Sequence, residues 1–306
     1  AHIAVTRTPG VTRAQVAPRG GGPLLGHSAV MQLDGSHWEE LIHLDRDMLH
    51  VRFPTAPNET KDKERKLSEG AKELKKLFAE AREYGRLVDL AATEPAARPE
   101  YDPRLEALVP YVRGQKTMAL HADNAQTILD ALRFAKEESL QVVLYGASEG
   151  WKVADTLAQE GRSVVVGPVL ALPSTREDPY DAAYANAAVM ARAGVKLAIM
   201  TADDENPRNL AFHAAMAASC GLPREEALRA ITLYPAQILG MEAEVGSLAP
   251  GMIADLIVTS GDVLELATTV DYVFIQGRQQ DLSNRQTELY ERYRQRMLAW
   301  KSRAKQ

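Results

Sequence analysis

The stretch LQVVLYGASEGWKVADTLAQEGRSVVVGPVL, residues 140–170, decides the fold. It opens on an apolar, β-branched run, 140–147. Val153, Ala154, Leu157 and Ala158 follow at helical spacing before Gly161, and a second apolar run fills 163–170. Continuous apolar runs, unlike alternating ones, suit strands buried on both faces. A run, an amphipathic helix and another run make a βαβ unit, whose strands lie parallel.

The unit repeats on both sides. KTMALHAD (116–123) precedes it and VKLAIMTA (195–202) follows it, so that the four runs start 24, 23 and 32 residues apart. Between the first two, Ala125, Ile128, Leu129, Leu132 and Ala135 mark one helix face, with Asp123 or Asn124 placed to cap it. An Ala-rich helix ends at Gly194, and Asn206-Pro207 opens another. Consecutive βα units predict an α/β fold, as a barrel or an open doubly wound sheet.

Upstream, GVTRAQV (10–16) and SAVMQLDG (28–35) read as strands around a glycine-rich turn, with MLHVRFP (48–54) as a further candidate. Residues 59–85 form a charged helix whose face carries Leu67, Ala71, Leu74, Phe78 and Ala81; a linker, 91–103, follows. After residue 245 the pattern changes to short strands at 253–258 and 270–275. The tail starts with Ser283 and Gln286 as a capping box and continues as a helix with Leu289, Tyr293, Met297 and Trp300 at near-helical spacing. Its basic face reads as solvated, an interface helix being the alternative.

With 306 residues, 45% hydrophobic and 25% charged, the chain can bury a sizeable core. A net charge of −5 gives no reason to expect nucleic acid, and no run approaches a membrane span. One cysteine, Cys220, excludes an intramolecular disulfide framework. A small-molecule substrate is the expected partner, with a homo-oligomer as an option. The chain begins at Ala1, so a missing N-terminus is expected. Localisation is open on that account, the cytoplasm being favoured over export.

Parallel strands send their carboxyl ends to one face, where the catalytic loops of a barrel lie. His121 and Asp123 arrive there from the first run; Asp203 and Asp204 arrive from the fourth. Histidine and carboxylate are the ligand types of a divalent metal site. Asp203, nearer the strand, is the better candidate; Asp204 reads as a cap or turn residue. His27, His37, His43 and His50 lie in loop-like sequence and are expected to be exposed. His213 sits inside a helix and is read as structural. Ser28 and Ser148 show no histidine–acid pattern, so a serine hydrolase is not expected. The segment GGGPLLG lacks the lysine and hydroxyl of a phosphate-binding loop.

The segments TLYPAQILG (232–240) and VGSLAPGMIADLIV (245–258), with the later strand ending in Gly277-Arg278, resemble the C-terminal signature of the amidohydrolase superfamily. GVTRAQVAPRGGG, the stretch 120–158 and GVKLAIMTADDENPRNL resemble its imidazolonepropionase-like, metal-dependent hydrolase branch. The resemblance implies a (β/α)₈ TIM-type barrel and a small β-sandwich built from both chain ends. On that pattern residues 1–244 are a barrel lacking its first strand, with a charged helical insertion near 59–90. Residues 245–280 are part of the sandwich, and 281–306 are a C-terminal helix. His121 matches the family's fifth-strand histidine. Asp203 matches its eighth-strand aspartate, both metal ligand and catalytic base, with Asp123 and Asp204 as second-shell candidates.

The resemblance implies a divalent metal, Zn with Fe or Mn as alternatives, and hydrolysis of a non-peptide C–N bond in a cyclic amide or related small molecule. The departures open a second possibility. The chain has no H-x-H pair, Gly146 stands where the family often has its sixth-strand histidine, and no fourth-strand ligand is evident. A reduced site, no metal at all, or a non-catalytic scaffold is therefore the alternative, and this chain alone is expected to lack activity.

Overall fold

The computed structural model describes residues 2–55 and 68–303. Its strands are β1 (Arg13–Val16), β2 (Leu24–His27), β3 (Ala29–Gln32), β4 (Ile42–Leu44), β5 (Leu49–Arg52), β6 (Met118–Ala122), β7 (Val142–Gly146), β8 (Val164–Val166), β9 (Leu197–Ile199), β10 (Leu256–Thr259), β11 (Val270–Ile275) and β12 (Arg278–Gln279).

The four expected apolar runs become β6 to β9, neighbours in one sheet of order β2-β5-β6-β7-β8-β9. Strands β5 to β9 are parallel and β2 is antiparallel to β5. Among the described residues β2 and β9 are the two edges. The expected barrel lacks its first strand, and the described strands form an open, mostly parallel sheet, since a ring closes only when strands pair across both edges.

Strands buried on both faces must send alternate side chains into two cores, and these do. On one face Val51, Leu120, Leu144, Val166 and Ile199 meet the helices. On the other, Met48, Ala119, Val143, Tyr145, Val165 and Ala198 form a second cluster, closed over by Ile238 and Leu239. Helix Ala125–Glu137 follows β6 and is capped by Asn124, whose side-chain oxygen accepts from the Thr127 amide at 2.8 Å. Helix Glu69–Leu90 buries Ala71, Leu74, Phe78 and Ala81, the stripe expected of it. Its expected start at 59, with Leu67, lies outside the described residues.

Two smaller sheets complete the molecule, β1-β3-β4 and β10-β11-β12, both antiparallel. They are joined side to side. Leu33 packs with Val273 and Ile275, Gln276 Nε2 donates to Gln32 Oε1 at 2.7 Å, and Arg13 Nε reaches Asp255 Oδ2 at 2.6 Å. Side chains thereby join the first and last sheets of the chain.

Candidate active site

His121 is the fourth residue of β6 and pairs in register with Arg52 and Tyr145 on the neighbouring strands. Two residues before Arg52 stands His50, which the inner-face alternation aims the same way. Its Nδ1 lies 2.8 Å from His121 Nε2. His50, His121 and Tyr145 form a mutual ring cluster with centroids 5.1 to 5.4 Å apart.

His50 corrects the sequence expectation. It is not an exposed loop residue but lies within β5 with no accessible surface. The signal was present: it interrupts an apolar run, MLHVRFP, and a polar residue inside a buried strand needs a partner. Of the other histidines, His27 lies in β2 and is half-buried, and His43 lies in β4 with its ring 3.0 Å from Glu244. His213 is buried and accepts from the Val169 amide at 3.1 Å, a structural role.

The partners of His50 fix its protons. Its Nε2 lies 2.8 Å from Ser28 Oγ. The Ser28 hydroxyl donates to Met48 O and accepts from Gln15 Nε2, each at 3.3 Å. With the Ser28 proton directed to Met48 O, the hydroxyl accepts from His50 Nε2–H, and His50 Nδ1 accepts from His121 Nε2–H. The Nδ1 lone pair therefore faces His121 Nε2. Burial holds the His50 imidazole neutral, with a pKa lowered to about 3, the nearby His121 and His27 adding to the effect. Burial also lowers His121; Asp123 opposes that shift and Arg52 reinforces it. Ser28 resembles a nucleophile beside a base, but it is 1% exposed and its proton is engaged by the backbone, so no substrate reaches it.

Behind the pair the network continues. Gln15 Nε2 donates to Asp47 Oδ2 at 2.5 Å, and Tyr145 Oη donates to Gln15 Oε1 at 2.8 Å. Each bond orients the next group, so His50 has little freedom to turn.

The acids predicted from sequence lie at the loops. Asp123 is exposed at the end of β6 and its Oδ1 accepts from Ser148 Oγ at 3.0 Å. The carboxylate lies over Gly146, so that a Cβ at 146 would overlap Asp123 Oδ1. Asp203 is exposed and closes its own turn. Its Oδ1 accepts from the amides of Glu205 and Asn206 at 2.7 and 3.0 Å, and its Oδ2 from Asn206 Nδ2 at 3.1 Å. These bonds, Asn206 first, hold its pKa below the usual carboxylate range. Asp204 is exposed with Arg19 at 3.5 Å. The structure thus brings His50 to His121 and leaves the carboxylate of Asp203 engaged in its own turn.

Two neutral imidazole nitrogens facing one another are ligands suited to Zn, Fe or Mn. A His50 whose Nε2–H donates to Ser28 Oγ keeps its Nδ1 lone pair for a metal. The pair fits as two ligands. Nitrogens bound to one zinc lie about 2.0–2.1 Å from it, so the rings would separate slightly from their hydrogen-bonded distance. Among the described residues no cluster of three histidine, cysteine or acidic groups could hold a metal ion.

Comparison with known proteins bears on this geometry. Relatives include an imidazolonepropionase of Symbiobacterium thermophilum, 27% identical over 298 residues, which span 83% of this chain and 69% of the relative. The crystal structure of an amidohydrolase from Thermotoga maritima superposes with a TM-score of 0.80 at 28% identity, covering 91% of this chain and 74% of that one. The model of the amidohydrolase family matches residues 54–279, a span that holds His121, Asp123, Asp203 and Asp204 and begins just after His50. A parallel sheet with its polar cluster toward the carboxyl ends, and a family match over most of the length, place this chain in the amidohydrolase family.

Proposed function

We propose that this amidohydrolase-family protein is a metal-dependent hydrolase of a C–N bond in a cyclic amide or related small molecule, with His50 and His121 as the imidazole ligands. The observation that carries the reading is the close approach of two imidazole nitrogens, one from buried His50 and one from half-buried His121. A bound divalent cation would supply polarisation of the carbonyl and a water acidified toward neutrality. The chain's own contribution is orientation and proton transfer. Ser28 and Gln15 hold His50 in one tautomer, and the inner apolar cluster below the pair limits water from that side. Asp203 is the proposed base. Its turn keeps it ionised, and on leaving that turn it would take the proton as water adds to the carbonyl carbon. Returned to nitrogen as the C–N bond breaks, that proton completes the hydrolysis.

One observation favours a second reading, a non-catalytic relative. The two imidazoles already satisfy one another, and Asp123 fills the space above Gly146. Metal content decides between them. The purified chain, equilibrated with Zn and dialysed, is expected to retain about one ion. His121→Ala and His50→Ala should reduce this to background while His43→Ala does not. A folded wild-type chain that holds no Zn, Fe or Mn leaves the scaffold reading.

A further inference from the structure

Among its described side chains, the C-terminal helix, Arg285–Arg303, buries none. Leu289 is half-covered, and Tyr290, Tyr293, Met297 and Trp300 are each between 54% and 68% exposed. At 100° per residue these five fall within one arc of about 100°, a continuous apolar stripe facing solvent.

The charges are not spread at random around it. Arg285, Arg292, Arg296 and Arg303 flank one border of the stripe, and Arg294 and Lys301 flank the other. Both acids, Glu288 and Glu291, lie on the opposite side, where Glu291 pairs with Arg294 at 2.8 Å. The helix thus carries six cations and two acids, a net +4, while the chain as a whole carries −5.

We propose that this helix docks on an anionic lipid surface, lying in its plane. Three features support that occupant over a protein groove. Cations border the stripe on both sides, where their long stems can lie along it and their heads reach lipid phosphates. Tyr and Trp are amphipathic rings suited to the boundary between headgroups and acyl chains. Self-pairing of two such helices would set like-charged borders against each other. No described helix is long and apolar enough to cross a membrane, so the helix would lie on the surface rather than insert across it. With one helix and no second anchor, attachment should be reversible and weakened by salt.

The test is vesicle flotation of the whole chain, with phosphatidylcholine vesicles alone and with added phosphatidylglycerol. Binding is expected only with the anionic lipid, and to fall as salt rises. Tyr293→Ser with Trp300→Ser should remove it. Arg294→Glu with Arg296→Glu should weaken partition by more than about tenfold. Glu288→Gln should not weaken it. Because the substituted side chains are mostly exposed, these variants should melt as wild type does, which a thermal scan checks. Absence of flotation at low salt overturns the proposal. So does undiminished flotation of the Tyr293/Trp300 variant. A wild-type dimer in light scattering that Trp300→Ser dissociates, without vesicle binding, would assign the stripe to a second copy instead.

Discussion

Gly146 shows how one residue can carry two constraints. Its φ of +93° is one that side chains rarely adopt, and Asp123 Oδ1 occupies the place of its missing Cβ. Gly146→Ala should therefore cost about 1–3 kcal/mol, read as a lower urea midpoint at unchanged slope. A wild-type midpoint would show that neither the φ nor the overlap with Asp123 constrains this position. His213 makes a prediction of opposite kind. Burial, partly offset by Asp203, holds its pKa below 6.5, and its Nδ1 accepts from Val169. As pH falls below 6.5 the unfolded chain gains a proton that the folded one refuses, so stability must fall with it. Such a buried histidine contributes up to about 1.4 kcal/mol per pH unit while this holds. His213→Asn, with a neutral acceptor, should show a shallower loss between pH 7 and 5 by chemical unfolding. These sites were unequally legible in the sequence. His121 could be found because a run ending in LHAD sends it to the functional face. His50 escaped because a lone histidine in a short run carries no local mark of its partner, 71 residues away. What fixes its tautomer, Ser28 and Gln15, is assembled only by the fold.

At the scale of the element, local chemistry was legible where it is local. Asn124 closes the first turn of helix Ala125–Glu137 as its sequence position foretold. Asn124→Ala should cost about 1 kcal/mol. The face of that helix was legible only in part. Periodicity put Leu129 on it, yet Leu129 is half-covered, while Phe134, absent from the expected stripe, is fully buried. The reason lies in the neighbours. Phe134 fits between Phe53 and Phe78, ring centroids 5.4 and 5.8 Å away, and these come from the residue just after β5 and from helix Glu69–Leu90. A helix turns its face toward the largest partners, and these are distant in sequence. Phe134→Ala should consequently cost about 3–5 kcal/mol, several times the cap, and a double-mutant cycle with Phe78→Leu should be non-additive. Strand order followed from the repeat, since consecutive βα units place neighbours beside neighbours. The antiparallel pairing of β2 with β5 did not, because edge pairing leaves no trace in any single run.

For the whole molecule, the question is what ties the first thirty residues to the last sixty. An apolar cluster of Leu33, Val273 and Ile275, with Ile3, Val11, Ile257, Val270 and Leu282 packed against it, carries part of the joint, and buried polar links add to it. Chief among them is Arg13 with Asp255, whose side chains are 9% and 6% exposed. Asp255 accepts a second bond from the Gln276 amide at 2.8 Å, where the backbone turns through a left-handed φ of +51°. Arg13 is less well served: its Nη1 and Nη2 are buried without partners among the described residues. A buried ion pair recovers in attraction roughly what it loses in hydration, so its net contribution is small, whereas removing one partner strands the other charge. The asymmetry yields an ordered expectation. Asp255→Ala should destabilise most, by about 3–5 kcal/mol, since it strands Arg13 and frees the Gln276 turn. Arg13→Met should cost less, because it also removes two unsatisfied groups and leaves Asp255 its backbone donor. The pair Arg13→Met with Asp255→Asn should lie well above Asp255→Ala in stability, the amide oxygen keeping the Gln276 bond without a charge to strand. Urea unfolding of the three variants checks the order. If Asp255→Ala and the double variant unfold together, the stranded guanidinium is not what costs, and the joint between the two small sheets rests on its apolar contacts instead.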